Sequence, residues 1–226
     1  MKKIWEHDWF FIPIAMFFGF CSVLALVVPY GHEILFFNDL RYEPFNAIFQ
    51  FLSLCGEVWA FLVFGIAALY WRPRYALIIA FAGLSSMPLM YLLKDAMGVD
   101  RPITFFEKKA AQNMVVLVPS MDLNRGQTSF PSGHTVAAFA LYSLLTLMIG
   151  RKYAPWGLAF ALLAMLVGIS RIFLVQHFLI DVLAGAVLGL VLGGAVWWAS
   201  FRFLPQAANI SNANQGLKAP SGRQRL

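Results

Sequence analysis

Apolar residues run along this chain in long blocks, and the polar residues fall mostly between the blocks rather than among them. Six blocks stand out: 9–31, 45–71, 76–93, 135–150, 154–170 and 182–201, the fourth counted with the Pro131-Ser132-Gly133-His134 that precedes it. About 20 apolar residues in helical form cover the hydrocarbon core of a bilayer, so each block is predicted to be a membrane-spanning helix. The second carries a single acid, Glu57. Residues 32–44 hold Glu33, Asp39, Arg41 and Glu43 and read as a short surface segment. Arg72-Pro73-Arg74 and Arg151-Lys152 make tight basic turns, and residues 94–130 form a long polar loop. From Pro205 onward the chain is rich in Asn, Gln, Ser, Gly and Ala and reads as a disordered tail. The expected architecture is all-α: one domain over residues 1–204, an integral membrane bundle of six helices, followed by a polar cytoplasmic tail over 205–226.

Composition narrows this further. Of 226 residues 60% are hydrophobic and 12% charged, and soluble domains carry roughly twice that charged fraction. The net charge of +6 forms no basic stripe, since the cations sit at the ends of apolar blocks; a bilayer partner fits and a nucleic acid does not. Cys21 and Cys55 lie inside apolar blocks and read as small embedded residues rather than a disulfide. Lys2 and Lys3 precede an apolar block with no small-residue cleavage site after it, so a retained first helix is expected. With six spans, Lys2, Lys3, Arg72, Arg74, Arg151, Lys152, Arg202, Lys218, Arg223 and Arg225 share one side, which the positive-inside rule makes cytoplasmic. Three polar stretches then meet on the opposite, outer face: 94–102, 130–135 and 170–181.

Those stretches carry chemistry. Pro131 suits a first helical turn, Gly133 lets backbone approach a ligand, and the free N–H groups of such a helix start attract phosphate. Lys94, Arg101 and Arg171 supply cations, the arginines in a form that grips two oxygens at once. His177 and Asp181 are four apart and share a helix face. A carboxylate on one ring nitrogen leaves the other free as a nucleophile, and His134 is then available as a general acid. Taken singly, a cation at a helix end is a snorkelling anchor and a boundary histidine an interfacial polar group, which is how His7 and His32 read. Jointly the residues describe phosphoryl transfer without metal or cofactor.

Lys94 with Arg101-Pro102, Pro131-Ser132-Gly133-His134, and Ser170-Arg171 with His177 and Asp181 follow the patterns K-x6-R-P, P-S-G-H and S-R-x5-H-x3-D. In these the chain resembles the type-2 phosphatidic acid phosphatase superfamily, which also includes vanadium haloperoxidases and glucose-6-phosphatase. The resemblance covers about residues 76–201. It implies that His177 forms a phosphohistidine, that Asp181 orients it, and that His134 protonates the leaving group. It also implies that Lys94, Arg101, Arg171, Ser132 and the Gly133 backbone bind phosphate.

The expected activity is hydrolysis of a lipid phosphomonoester or pyrophosphate at the outer face of a cytoplasmic membrane. Undecaprenyl pyrophosphate, phosphatidylglycerophosphate, phosphatidic acid and lipid A all remain open as substrates, and the loop 103–130 with Lys108, Lys109 and Arg125 is expected to choose among them. A phosphotransferase using the same pocket, or a lipid transporter, are the alternatives; an intact His134, His177 and Asp181 argue against transport. A monomer is the favoured state. Glu57 is a candidate for substrate handling, through the lipid head group or a proton relay, with a structural bond to a neighbouring helix as the competing reading. Gly185, Gly189 and Gly193 form a small-residue ridge expected to pack within the bundle.

Orientation can be checked directly. With Cys21 and Cys55 removed, a cysteine at Gln112 should react with a membrane-impermeant thiol reagent on cells, with any outer membrane permeabilised, while a cysteine at Tyr153 should not. Labelling at Tyr153 alone would invert the topology.

Overall fold

The computed structural model describes residues 7–119, 121–122 and 124–203. The expected disordered tail, and with it Lys2, Lys3, Lys218, Arg223 and Arg225, lies outside them. Among the described residues the chain is all-helical. Its helices are α1 (Asp8–Val27), α2 (His32–Leu35), α3 (Phe45–Leu54), α4 (Val58–Trp71), α5 (Pro73–Met97), α6 (Pro102–Lys108), α7 (Gly133–Met148), α8 (Trp156–Phe173) and α9 (Leu179–Phe203). The apolar blocks became helices, and several are membrane-capable. Four of these helices, α1, α8, α9 and the run starting at Pro73, are long and apolar enough to cross a bilayer, and α3 with α4 makes a fifth if taken as one broken span. At 16 residues α7 is shorter than the four full-length spans, and 12 of its residues are buried. It is the central post, with α5, α8 and α9 packed around it.

Three features differ from the sequence reading. The block 45–71 is two helices meeting at 56°, not one span. The break falls at Cys55-Gly56-Glu57, and Gly56 explains its position. A Cβ there would lie 2.5 Å from Val167 Cγ1 and 2.8 Å from the His134 carbonyl oxygen, so only a residue without a side chain lets the break press against α7 and α8. The segment 94–130 is not simply a polar loop: α5 continues to Met97, α6 follows, and Ile103, Phe106, Val115 and Val118 are buried.

The third difference is Arg41, expected as a surface charge and found buried. Its Nε donates to the Phe173 carbonyl at 2.8 Å and its Nη2 to that of Ile34 at 2.8 Å. Nη1 donates to Asn38 Oδ1 at 2.6 Å and to the Val116 carbonyl at 3.1 Å. Burial pushes the guanidinium down to about 10, which leaves it a cation at neutral pH. One side chain thus ties the 32–44 segment and the 115–118 loop to the end of α8.

The glycine ridge packs α9 onto α7. A Cβ on Gly185 would meet the Ser132 carbonyl oxygen at 2.7 Å, and one on Gly189 the Val136 carbonyl oxygen at 2.6 Å; Gly193 abuts Ser143 and Ala140. The ridge is therefore used inside the molecule. Arg74 donates to the Ser200 carbonyl at 2.6 Å, which puts the first basic turn beside the far end of α9. Asp181 opens that helix, and 19 residues at 1.5 Å rise separate the two ends by about 28 Å, close to a bilayer core.

Gly189→Ala should lower the apparent unfolding temperature in detergent, because an overpacked contact costs about 1–3 kcal/mol. Gly194→Ala is the control, since a Cβ there meets nothing within 4 Å. Equal melting of the two variants would mean that α7 and α9 do not pack through the ridge.

Candidate active site

Arg171 occupies the last turn of α8, and the chain then folds back on itself. The Gln176 and His177 N–H groups both donate to the Arg171 carbonyl, at 2.9 and 3.1 Å. Between them and the helix, Val175 adopts φ +58°, a left-handed conformation that costs a β-branched residue on the order of 1–3 kcal/mol. The turn buries His177 almost completely. Its Nδ1 lies 3.6 Å from Asp181 Oδ2, an ion-pair separation but longer than a hydrogen bond. Oδ2 instead accepts from the Ser129 hydroxyl at 2.6 Å and the Phe178 N–H at 2.9 Å. His177 Nδ1 and Asp181 Oδ1 are both buried and find no hydrogen-bond partner among the described residues.

On the other side of the ring, Arg101 Nη1 lies 3.4 Å from His177 Nε2. A guanidinium only donates, so this contact assigns the lone pair to Nε2 and the proton to Nδ1, facing Asp181. Arg101 is itself held by the Gln176 carbonyl at 3.0 Å and Thr128 Oγ1 at 3.2 Å. Burial, and then the charges of Arg101, Arg171 and Lys94, hold the His177 imidazole well below its ordinary range. The ring is therefore neutral at physiological pH, the form in which a ring nitrogen attacks.

His134 stands in the first turn of α7, and its Nε2 lies 3.1 Å from Glu57 Oε1. The helix break is what places Glu57 there. The sequence reading put this acid within a span and named a bond to a neighbouring helix as one possibility; the neighbour is the candidate acid itself. Ser132 is buried at the start of α7. Its N–H donates to the Asp181 carbonyl at 3.1 Å, and its hydroxyl oxygen accepts from Thr135 at 2.8 Å, so it joins the α7 start to the α9 start. A Cβ on Gly133 would find only Met90 Cγ, at 3.8 Å; the space beside it is open. Lys94 is half-buried and, among the described residues, has no hydrogen-bond or ion-pair partner.

The remaining cations of the loop are engaged elsewhere. Lys108 pairs with Asp100 at 2.7 Å, Arg125 with Glu107 at 3.0 Å, and Lys109 lies 4.4 Å from the centre of the Phe105 ring. Three groups with no signal in the sequence complete the surroundings. Ser129 holds Asp181, Ser53 of α3 accepts from Arg171 Nη1, and Gln176 ties the turn to the Asp122 carbonyl and to Asn124. Serine and glutamine are too common for sequence to mark which ones face a charge.

A bundle of apolar helices carrying, at one end, Lys94, Arg101 and Arg171 beside two histidines and a carboxylate defines a multi-pass membrane protein with a cationic cluster at that end. The chain belongs to the PAP2 superfamily, whose profile matches residues 74–205. Lipid phosphate phosphatase 2 of Arabidopsis thaliana is 27% identical over 216 residues, covering 81% of this chain and 73% of that protein. The lipid A 1-phosphatase of Porphyromonas gingivalis is 42% identical over 73 residues, and the chain spans only 16% of its length. Among solved structures, LpxE of Aquifex aeolicus superposes with a TM-score of 0.60 at 24% identity, over 73% of this chain and 92% of that one. The transmembrane PAP2-type phosphatidylglycerolphosphate phosphatase of Bacillus subtilis superposes with a TM-score of 0.59 at 22% identity, over 84% and 96%. These two likenesses concern the fold.

Proposed function

We propose that this protein is a metal-independent lipid phosphatase working through a phosphohistidine. The observation that carries the lipid part is a groove of about 920 Å³ between α4 and α5, almost wholly apolar, that opens onto Glu57, Gly133 and His134. From Glu57 to Leu69 it follows twelve residues of α4, or about 18 Å of helix. Small residues on the facing helices, Gly65, Ala80 and Gly83, line it. A leaving group protonated by His134 departs on the His134 side, so the alcohol that leaves is the one whose hydrocarbon part occupies this groove.

The chemistry follows from the same geometry. His177 Nε2 attacks phosphorus, the P–O bond to the lipid breaks, and His134 passes its proton to the departing oxygen. Water then attacks the phosphohistidine, His134 takes one proton from it, and inorganic phosphate leaves with His177 restored. Asp181 faces Nδ1 and supplies the counter-charge as that ring becomes cationic. Glu57, an acceptor when ionised, holds the Nε2–H of His134 and supports the imidazolium form, in which Nδ1 also carries a proton; that proton goes to the departing oxygen and is regained from water in the second step. Lys94, Arg101, Arg171, Ser132 and the Gly133 backbone form the phosphate cradle. Three cations face the negative charge that a phosphomonoester carries and spreads over its oxygens in the transition state. Six spans, counting the broken pair and α7 as one each, with the pocket facing the outside of a cytoplasmic membrane, complete the reading.

Two experiments test it. On purified protein, a panel of lipid phosphates assayed for released phosphate should give turnover that His177→Ala abolishes. Glu57→Gln and His134→Ala should slow alkyl phosphates at least about tenfold more than p-nitrophenyl phosphate, whose leaving group needs no proton. Near-normal activity of His177→Ala, or equal losses on both ester classes for the other two, would refute the assigned roles. Separately, Gly65→Phe should fill the groove, because a Cβ there meets only Ile79, at 3.9 Å. The ratio of long-chain to dihexanoyl phosphate turnover should fall; an unchanged ratio would place the lipid tail elsewhere.

A further inference from the structure

Arg171 is a buried guanidinium with little to hold it. Among the described residues no carboxylate comes within ion-pair distance, its Nε is buried without a partner, and its one side-chain hydrogen bond runs from Nη1 to the Ser53 hydroxyl oxygen. Ser53 is itself buried. It sits in the last turn of α3, just before the helix break.

The direction of that bond sets Ser53 apart. Serines inside helices often return their hydroxyl to a preceding backbone carbonyl, and five of this chain's do so. Ser85 donates to Phe81, Ser86 to Gly83, Ser143 to Ala140, Ser170 to Val167 and Ser200 to Trp197. Ser53 instead presents its oxygen to a cation 118 positions away in sequence. A buried donor left unpaired costs about 1–3 kcal/mol, and the guanidinium fork is rigid and planar. Fixing Nη1 therefore fixes the plane. The edge that remains is Nε with Nη2, a pair of parallel N–H groups with the spacing of two phosphate oxygens.

We propose that Ser53 is a positioning residue for phosphate binding: its hydroxyl sets the guanidinium of Arg171 so that the Nε–Nη2 edge meets two oxygens of the phosphoryl group. The inference rests on the phosphatase reading for the identity of the anion. It adds that the broken second segment reaches the site twice, through Glu57 at the candidate acid and through Ser53 at the cradle. Ser53 makes no contact with the reacting atoms and acts through Arg171 alone.

The test is titration of the purified full-length protein with inorganic phosphate, followed by calorimetry and independent of turnover. Ser53→Ala should weaken phosphate binding about tenfold, the loss expected for one hydrogen bond to a charged group. Ser53→Cys, which keeps the shape and offers a poor acceptor, should lose as much, and Ser53→Thr should recover affinity to within about twofold of the parent. In an Arg171→Ala background Ser53→Ala should change nothing further. Parental affinity in both Ser53→Ala and Ser53→Cys overturns the proposal. So does a Ser53→Ala loss that is equally large without Arg171, because the effect would then not pass through the guanidinium. If the parent binds phosphate but releases none from any lipid phosphate, the phosphatase reading fails while the link between Ser53 and Arg171 stands or falls on the titration.

Discussion

Arg101 and Arg171 are buried near one another and near Lys94, at one end of an apolar bundle, and among the described residues Asp181 is the one buried carboxylate beside them. Like charges that share a buried site repel, and low local dielectric strengthens the repulsion. Helix ends offset part of this. Lys94 lies in the last turn of α5 and Arg171 in the last turn of α8, where the negative end of the helix dipole favours a cation. Asp181 lies in the first turn of α9, where the positive end favours an anion. The positive start of α7 has no acid in its first turn. Arg101 is the exception among the cations: it sits at the positive start of α6 and is held there by the Gln176 carbonyl and the Thr128 hydroxyl.

The same constraint explains why the hydrogen bonds around the cations are neutral. Arg101 is held by a carbonyl and a threonine hydroxyl, Arg171 by a serine hydroxyl, and Arg41 by three carbonyls and an amide oxygen. Carboxylates would hold them more strongly but would also cancel the positive field of the cluster. The acids that do occur in the outer loop, Asp100 and Glu107, pair with Lys108 and Arg125 and leave the inner cations alone.

How much of this was legible in the sequence depends on range. Apolar blocks set the helices, because hydrophobicity is a local property averaged over many residues. The pocket was legible because its members come in three short runs whose spacing is visible. What escaped were contacts made by single ordinary residues across the fold. Ser53 on Arg171, Ser129 on Asp181 and Gln176 on Asn124 join positions between 52 and 118 apart. Arg41 was misplaced for a related reason: an arginine among Glu33, Asp39 and Glu43 has the local signature of a surface charge, and only the tertiary fold shows that carbonyls surround it. The break at Gly56 escaped because a glycine in an apolar block is compatible with a straight helix until its neighbour is known.

That break has a consequence for how lipid and phosphate are read together. A straight second span would carry Ser53 and Glu57 one turn apart on one face, both directed to the same neighbour. Bending the chain by 56° between them lets Ser53 meet α8 while Glu57 meets α7. It also swings α4 away to form, with α5, the wall of the apolar groove. One local feature, permitted by a missing side chain at Gly56, thus supplies a contact to the cradle, a contact to the candidate acid and the surface that a hydrocarbon chain would follow. A substitution at Gly56 would disturb all three together, whereas changes at Ser53, Glu57 or Gly65 separate them. The groove, the candidate acid and the Arg171 contact are coupled through the short stretch from Ser53 to Glu57 rather than through the bundle as a whole.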